Sequence, residues 1–221
     1  VEKVFVESIP LSAIDGADDC GLNGDLILHR LFVDLEEGYR LQAIFGSEGQ
    51  PLMIHSDQGF VTSGKGPLLM GTETTISLCE ILSTKLTMAM TAKGFLGQPI
   101  LETATKAPKA NSITLEHLLG PRDETAITLS SFGLDTKSLL ADEAGLRTEN
   151  GAWAAFGGAQ GLGKENVVLV GHFLAELPIN YELNLQLTNP EGETIKYFAR
   201  ASGDIDAKTH NSLINNSPTG Q

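Results

Sequence analysis

Seven residues from Gly158 to Lys164, Gly-Ala-Gln-Gly-Leu-Gly-Lys, match G-x-x-x-x-G-K, the opening of a phosphate-binding loop. That chemistry needs Ser or Thr after the Lys to hold magnesium, then a helix whose N-terminal amides cradle phosphate. Here Glu165 follows, and then the strand-like run Asn166 to Val170, so the segment reads as a glycine-rich loop between strands. Asp15, Asp18, Asp19, Asn23 and Asp25 place oxygen donors in one glycine-containing loop, the ligand type a hard cation such as calcium takes. Their spacing fits no EF-hand, and a solvated acidic loop is the competing reading. Asp204 and Asp206 form a smaller second group.

Other chemistry finds less support. His29, His55, His117, His172 and His210 make no i, i+4 pair and no H-E-x-x-H, so metal catalysis is not indicated. Ser63 and Ser131 lack the G-x-S-x-G elbow, with Val61 and Leu129 two positions before them. A pair of carboxylates for glycoside hydrolysis is a spatial arrangement, and nothing in the order of the 28 acidic residues singles one out. Catalytic residues are therefore not assigned, and the chain is not expected to be an enzyme. Cys20 and Cys79 make neither a CxxC motif nor a zinc pattern; in an exported protein such a pair is bridged or free. Trp153, the single tryptophan, is either a ligand-binding platform for a sugar or a core plug.

The elements that position these residues read as β-structure. Tyr181, Leu183, Leu185 and Leu187 alternate with Glu182, Asn184, Gln186 and Thr188, the pattern of a strand with one buried face. Asn189, Pro190, Glu191 and Gly192 supply a turn, and a return strand runs from about Glu193 to Arg200. Leu26 to Asp34 and Tyr39 to Phe45 flank a short link and read as a second hairpin. Val167 to Phe173 reads as a central strand, and Val1 to Ile9 as an edge strand ending at Pro10. In the middle, Ile76 to Met90 leans towards strands, while Ser112 to Leu119 and Lys137 to Ala144 carry helix start and stop signals. From Gly203 onward the chain is polar and reads as a tail, held either by its own domain or by a neighbour.

Fifteen Lys and Arg against 28 Asp and Glu give a net charge of −13, which offers no counterion release and excludes general nucleic-acid binding. A hydrophobic fraction of 41% supports a packed core. No run approaches the about 20 apolar residues of a spanning helix, so a membrane-spanning chain is not expected. The start at Val1 instead of Met fits export after loss of a leader, or excision from a longer chain.

Three stretches carry a family resemblance. Arg30 to Leu35 with Gly38, Tyr39, Gln42, Ala43, Phe45 and Gly46 is similar to Y-R-V-Y-V-D-L followed by G-Y-x-x-Q-A-x-x-G; Asn150 to Trp153 is similar to N-G-[SA]-W; and Val168 to His172 leading into Tyr181 to Gln186 is similar to V-L-I-A-Q and F-E-L-N-[IV]-Q. Together they resemble an uncharacterised secreted β-module of Bacteroidota and other environmental bacteria. The match covers the two ends of the chain; the middle lacks the family's D-S-W segment, having no Trp between Asp57 and Gly145. The resemblance implies export, for example by the type IX route, and a cell-surface or filament role.

The expected fold is all-β, a sandwich or jelly roll with one or two short helices in the middle segment. A single domain over residues 1–202 is expected, with a divergent, insertion-like middle at 57–145 and a polar tail or inter-subunit linker at 203–221. The expected function is a structural subunit or repeat of an extracellular or cell-surface assembly or filament, whose partners are copies of itself or other surface proteins. A carbohydrate-binding or adhesin-like module, with a glycan as ligand, is the alternative. No cofactor is expected apart from calcium at the acidic loop.

Overall fold

The structure, a computed structural model, describes residues 1–14, 17–22, 25–61, 145–161, 166–201 and 207–215, and between 61 and 145 the backbone of short strands alone. In chain order the strands are β1 (Lys3–Pro10), β2 (Ile27–Asp34), β3 (Arg40–Phe45), β4 (Leu52–Ser56), β5 (Leu68–Leu69), β6 (Thr75–Ile76), β7 (Thr87–Thr91), β8 (Ile113–Thr114), β9 (Thr128–Phe132), β10 (Gly145–Thr148), β11 (Ala152–Ala159), β12 (Val167–Ala175), β13 (Ile179–Glu182), β14 (Asn184–Thr188), β15 (Thr194–Phe198), β16 (Lys208–Thr209) and β17 (Ile214–Asn215). The fold is all-β, and the helical turns among the described residues are short 3-10 turns.

A five-stranded sheet runs β1-β2-β12-β7-β5, a four-stranded sheet β10-β4-β13-β17, and a six-stranded sheet β16-β15-β14-β3-β11-β9; β6 and β8 pair alone. One core cluster takes Leu31, Val33, Val168, Val170 and Phe173 from the first sheet, Leu52, Ile54 and Tyr181 from the second, and Leu41, Ile44, Trp153, Leu185 and Leu187 from the third. Burying one such side chain is worth about 1.5–3 kcal/mol. An exposed pair such as Arg147 with Glu149 is worth about 0–1 kcal/mol, so packing sets the fold.

The five-stranded sheet is covered on both faces, which explains why β12 is buried at every position. On the face away from the main core, Leu28, Phe32, Val167, Leu169 and Leu174 pack beneath Leu11, Ile14, Ala17 and Leu26 of the β1–β2 connection. A bulge between Leu169 and Gly171 lets Val168 and Val170 stay on the core face along with Phe173.

The central position of β12 and the edge position of β1 agree with the sequence reading. The turn after β14 also agrees: Asn189 Oδ1 accepts from Glu193 N at 2.7 Å, and Gly192 sits at φ +86°. Two expectations are corrected. β2 and β3 form no hairpin; they lie in different sheets, because β2 is buried between β1 and β12 while β3 pairs with β14 and β11. The alternating run from Tyr181 is not one strand either. It changes sheet at Leu183, whose N–H goes to Leu213 O at 3.0 Å, and so divides into β13 and β14.

The middle of the chain contributes strands to the main sheets: β5 and β7 extend the five-stranded sheet and β9 the six-stranded one. Ile113 and Thr114, inside the segment with helix signals at 112–119, are strand and pair with β6. The other helix expectation, 137–144, lies outside the described residues. Of the two readings of the tail, residues 207–215 pack on their own domain. β16 joins β15, β17 joins β13, and Ser212 Oγ accepts the Val4 N–H at 2.9 Å.

Candidate functional site

The three stretches that carry the resemblance meet at Phe45 and Gly46. Ala152 and Trp153 lie opposite Phe45 and Ile44, and Asn184 lies opposite Phe45 on the other side of β3. Asn184 is fully buried: its Nδ2 donates to Phe45 O at 3.0 Å and Gln50 O at 2.9 Å, and its Oδ1 accepts from Ala199 N at 3.1 Å. These bonds satisfy backbone groups exposed where strands change sheet. Gly46 N donates to Gly151 O at 2.8 Å, and a Cβ at Gly46 would fall 2.0 Å from Thr148 O, so no other residue fits there. Glu182, buried beside this node, receives a two-pronged grip from Arg200, with Nε to Oε2 at 2.9 Å. The Arg200 hydrogen bonds are the main reason its carboxyl lies below the usual range.

Trp153 takes the core role, not that of a ligand-binding platform: it is 0% exposed within the main cluster. The glycine-rich run also serves structure where it is described. Gly161 N donates to Asn166 Oδ1 at 2.7 Å, and Asn166 Nδ2 reaches Glu36 O and Tyr39 O at 2.6 and 2.9 Å. One buried amide thereby fixes the link that carries the chain from β2 to β3.

Of the candidate calcium ligands, Asp19 and Asp25 are exposed, Asp18 opens a 3-10 turn, and Asp15 and Asn23 lie outside the described residues, as do Asp204 and Asp206. Among the described residues no three His, Cys, Asp or Glu side chains gather as a metal site. Cys20, in the same loop, is disulfide-bonded; Cys79, the other cysteine of the sequence, lies outside the described residues.

The sequence reading did not anticipate a buried polar cluster across β1, β2 and β12. Glu7 and His172 both face Arg30 in register, and Arg30 Nη1 lies 2.8 Å from Glu7 Oε2. The guanidinium, 0% exposed, stacks 5.0 Å over Phe32. Burial, opposed by Glu7, brings Arg30 down to about 10. Both ring nitrogens of His172 lack a hydrogen-bond partner among the described residues. The available signal was parity: Arg30 sits between Leu28 and Phe32 on one strand face, and His172 shares a face with Leu174.

On the opposite face, His29 Nε2 donates to Leu177 O at 3.0 Å, which leaves Nδ1 to accept from Ser8 Oγ at 2.9 Å. This is a nucleophile and base by residue type. The far nitrogen, however, meets a neutral carbonyl, which cannot stabilise an imidazolium as the carboxylate of a catalytic triad does. Ser56 Oγ donates to the same carbonyl at 3.2 Å, so the network holds strands together.

Burial, reinforced by the Arg30 charge, holds His172 down to about 3, far below its usual 6.5. The folded state resists protonation there while the unfolded chain does not, so stability is complete above 6.5 and is lost as pH falls towards 3. His29 is lowered in the same direction by burial. We expect unfolding free energy to drop by up to about 1.4 kcal/mol per pH unit for His172 in this window. Urea titrations from neutral to acidic pH should show it, and His172→Leu should flatten the slope without loss at neutral pH. An unchanged slope in that variant would remove His172 from the account.

The outward face of the six-stranded sheet differs from the rest of the molecule. Opposite the core-facing Leu185 and Leu187, Gln186 and Thr188 stand across from Lys196, Thr194, Ala43 and Arg40. Gln186 Nε2 donates to Gln42 Oε1 at 2.9 Å, and Phe45 and Phe198 meet edge to face at 5.6 Å. Ala152 and Ala154 continue the face. The strands β3, β9, β11, β14, β15 and β16 contain no Asp or Glu, and their charged residues are Arg40, Lys196 and Lys208. In a chain of net charge −13, negative charge is thus displaced from this sheet. It gathers partly at the end of the β14–β15 hairpin. There, burial first and then Glu36, Glu191 and Glu193 raise the Tyr39 phenol.

No family model, curated protein or solved structure matches the chain.

Proposed function

We propose that the chain is a structural module of an extracellular or cell-surface assembly, acting through protein-protein contacts with copies of itself or with other surface proteins. One observation carries this reading. Among the described residues, Arg30, His29, Glu182, Asn184 and Trp153, all of types able to do chemistry, are buried inside the sandwich and make their contacts with the chain itself. Among the outward surfaces of the described residues is a sheet face with few charges. The disulfide at Cys20 supports an oxidising compartment, since such bonds persist outside the cytosol. A disulfide also secures a loop whose Leu11, Ile14, Ala17 and Leu26 cover one face of the five-stranded sheet.

The carbohydrate-binding alternative relied on Trp153 as an exposed platform, and Trp153 is buried. Electron microscopy of the purified chain at rising concentration tests the reading. Filaments, rings or ordered arrays are expected; isolated particles of single-module size throughout would count against it.

A further inference from the structure

We infer that the outward face of the six-stranded sheet is the docking surface of this module, and that its occupant is the acidic hairpin end of a second copy. The inference rests on the assembly reading and specifies it. Charge complementarity is the argument: Arg40 and Lys196 stand exposed on a face whose strands carry no carboxylate. Glu36, Glu191 and Glu193 stand exposed together around Tyr39 at the hairpin end.

The face between the two cations suits a protein partner. Gln42 and Gln186, already bonded to each other, present amides in fixed orientation, and the small side chains of Ala152 and Ala154 let another backbone approach. Interfaces commonly deplete carboxylates from their centre, where desolvation is most costly. A highly acidic chain otherwise repels its own copies at long range. A patch without carboxylates and with exposed cations is where that repulsion reverses. Attraction of this kind is screened by salt.

Sedimentation velocity at rising concentration tests the inference on wild type, on a face variant carrying Arg40→Glu and Lys196→Glu, and on an end variant carrying Glu191→Lys and Glu193→Lys. All four positions are exposed, and unchanged thermal unfolding would confirm that the variants fold. Wild type is expected to self-associate, less so at high salt. Each variant alone should associate about tenfold or more weakly, because like charges then meet across the contact. Mixing the two variants should restore association, since face and end are then complementary in reverse. Wild-type association that survives in the face variant would overturn the inference and leave the assembly reading standing. A wild-type monomer at every concentration would overturn both. Loss of glycan binding in the face variant, with self-association intact, would assign the face to a carbohydrate and overturn the inference.

Discussion

Trp153→Ala is expected to lower the unfolding free energy by about 3–5 kcal/mol, the usual range for removing a fully buried aromatic side chain. Trp153 is 0% exposed, belongs to the main core cluster, and lies in register between Ile44 of β3 and Ser131 of β9. Urea unfolding followed by circular dichroism measures the effect, since the variant has no tryptophan fluorescence to follow. Its indole N–H has no hydrogen-bond partner among the described residues, so Trp153→Phe removes an unsatisfied donor and should cost much less than Ala. A sugar platform predicts the opposite pattern: near-native stability in Trp153→Ala with loss of glycan binding. A loss under about 1 kcal/mol in the alanine variant would be outside the core range and contradict the packing described above.

The second large effect is expected from Glu7→Ala. Removing one partner of a buried ion pair strands the other, at about 3–5 kcal/mol. The Arg30 side chain is 0% exposed and the Glu7 side chain 35% exposed, so solvent relieves part of the loss and the low end, about 3 kcal/mol, is expected. Replacing the whole pair, Glu7→Leu with Arg30→Met, should recover most of it, because no charge is then left without a partner. The same urea measurements decide the matter. A Glu7→Ala cost below about 1 kcal/mol would mean that the pair behaves as an exposed one. Failure of the double variant to recover would mean that the shape of the Arg30 side chain over Phe32 matters more than its charge.

Much of this architecture was legible in local patterns. The alternation of Tyr181, Leu183, Leu185 and Leu187 gave the correct buried face, since all four enter one core. It could not reveal that the chain passes to another sheet at Leu183, because side-chain parity continues unbroken through a bend. Glu182 and Asn184 looked solvent-facing for the same reason. Their burial depends on Arg200 and on the backbone of Phe45 and Gln50, partners far away in sequence. The apparent hairpin at 26–45 failed because a short link specifies proximity in sequence, whereas β2 is buried on both faces and lies inside a sheet. The chemistry of Asn166 was hidden in the same way: a lone Asn after a glycine-rich run gives no sign that it ties Gly161 to the Glu36–Tyr39 link.

The candidate surface was less visible than the fold. Gln186 was readable as an outward position from the alternation of its strand, yet only strand order places β3, β14 and β15 side by side and shows that the combined face lacks carboxylates. The overall charge of −13 pointed away from such a face.

The central claim is that this module works by association, with the buried Arg30, His29, Glu182, Asn184 and Trp153 committed to holding the sandwich. Light-scattering mass of the purified chain over a wide concentration range tests it most directly. The account predicts a mass that rises above the 23.5 kDa of one chain as concentration increases and falls back in high salt. A mass fixed at that of one chain throughout would contradict it.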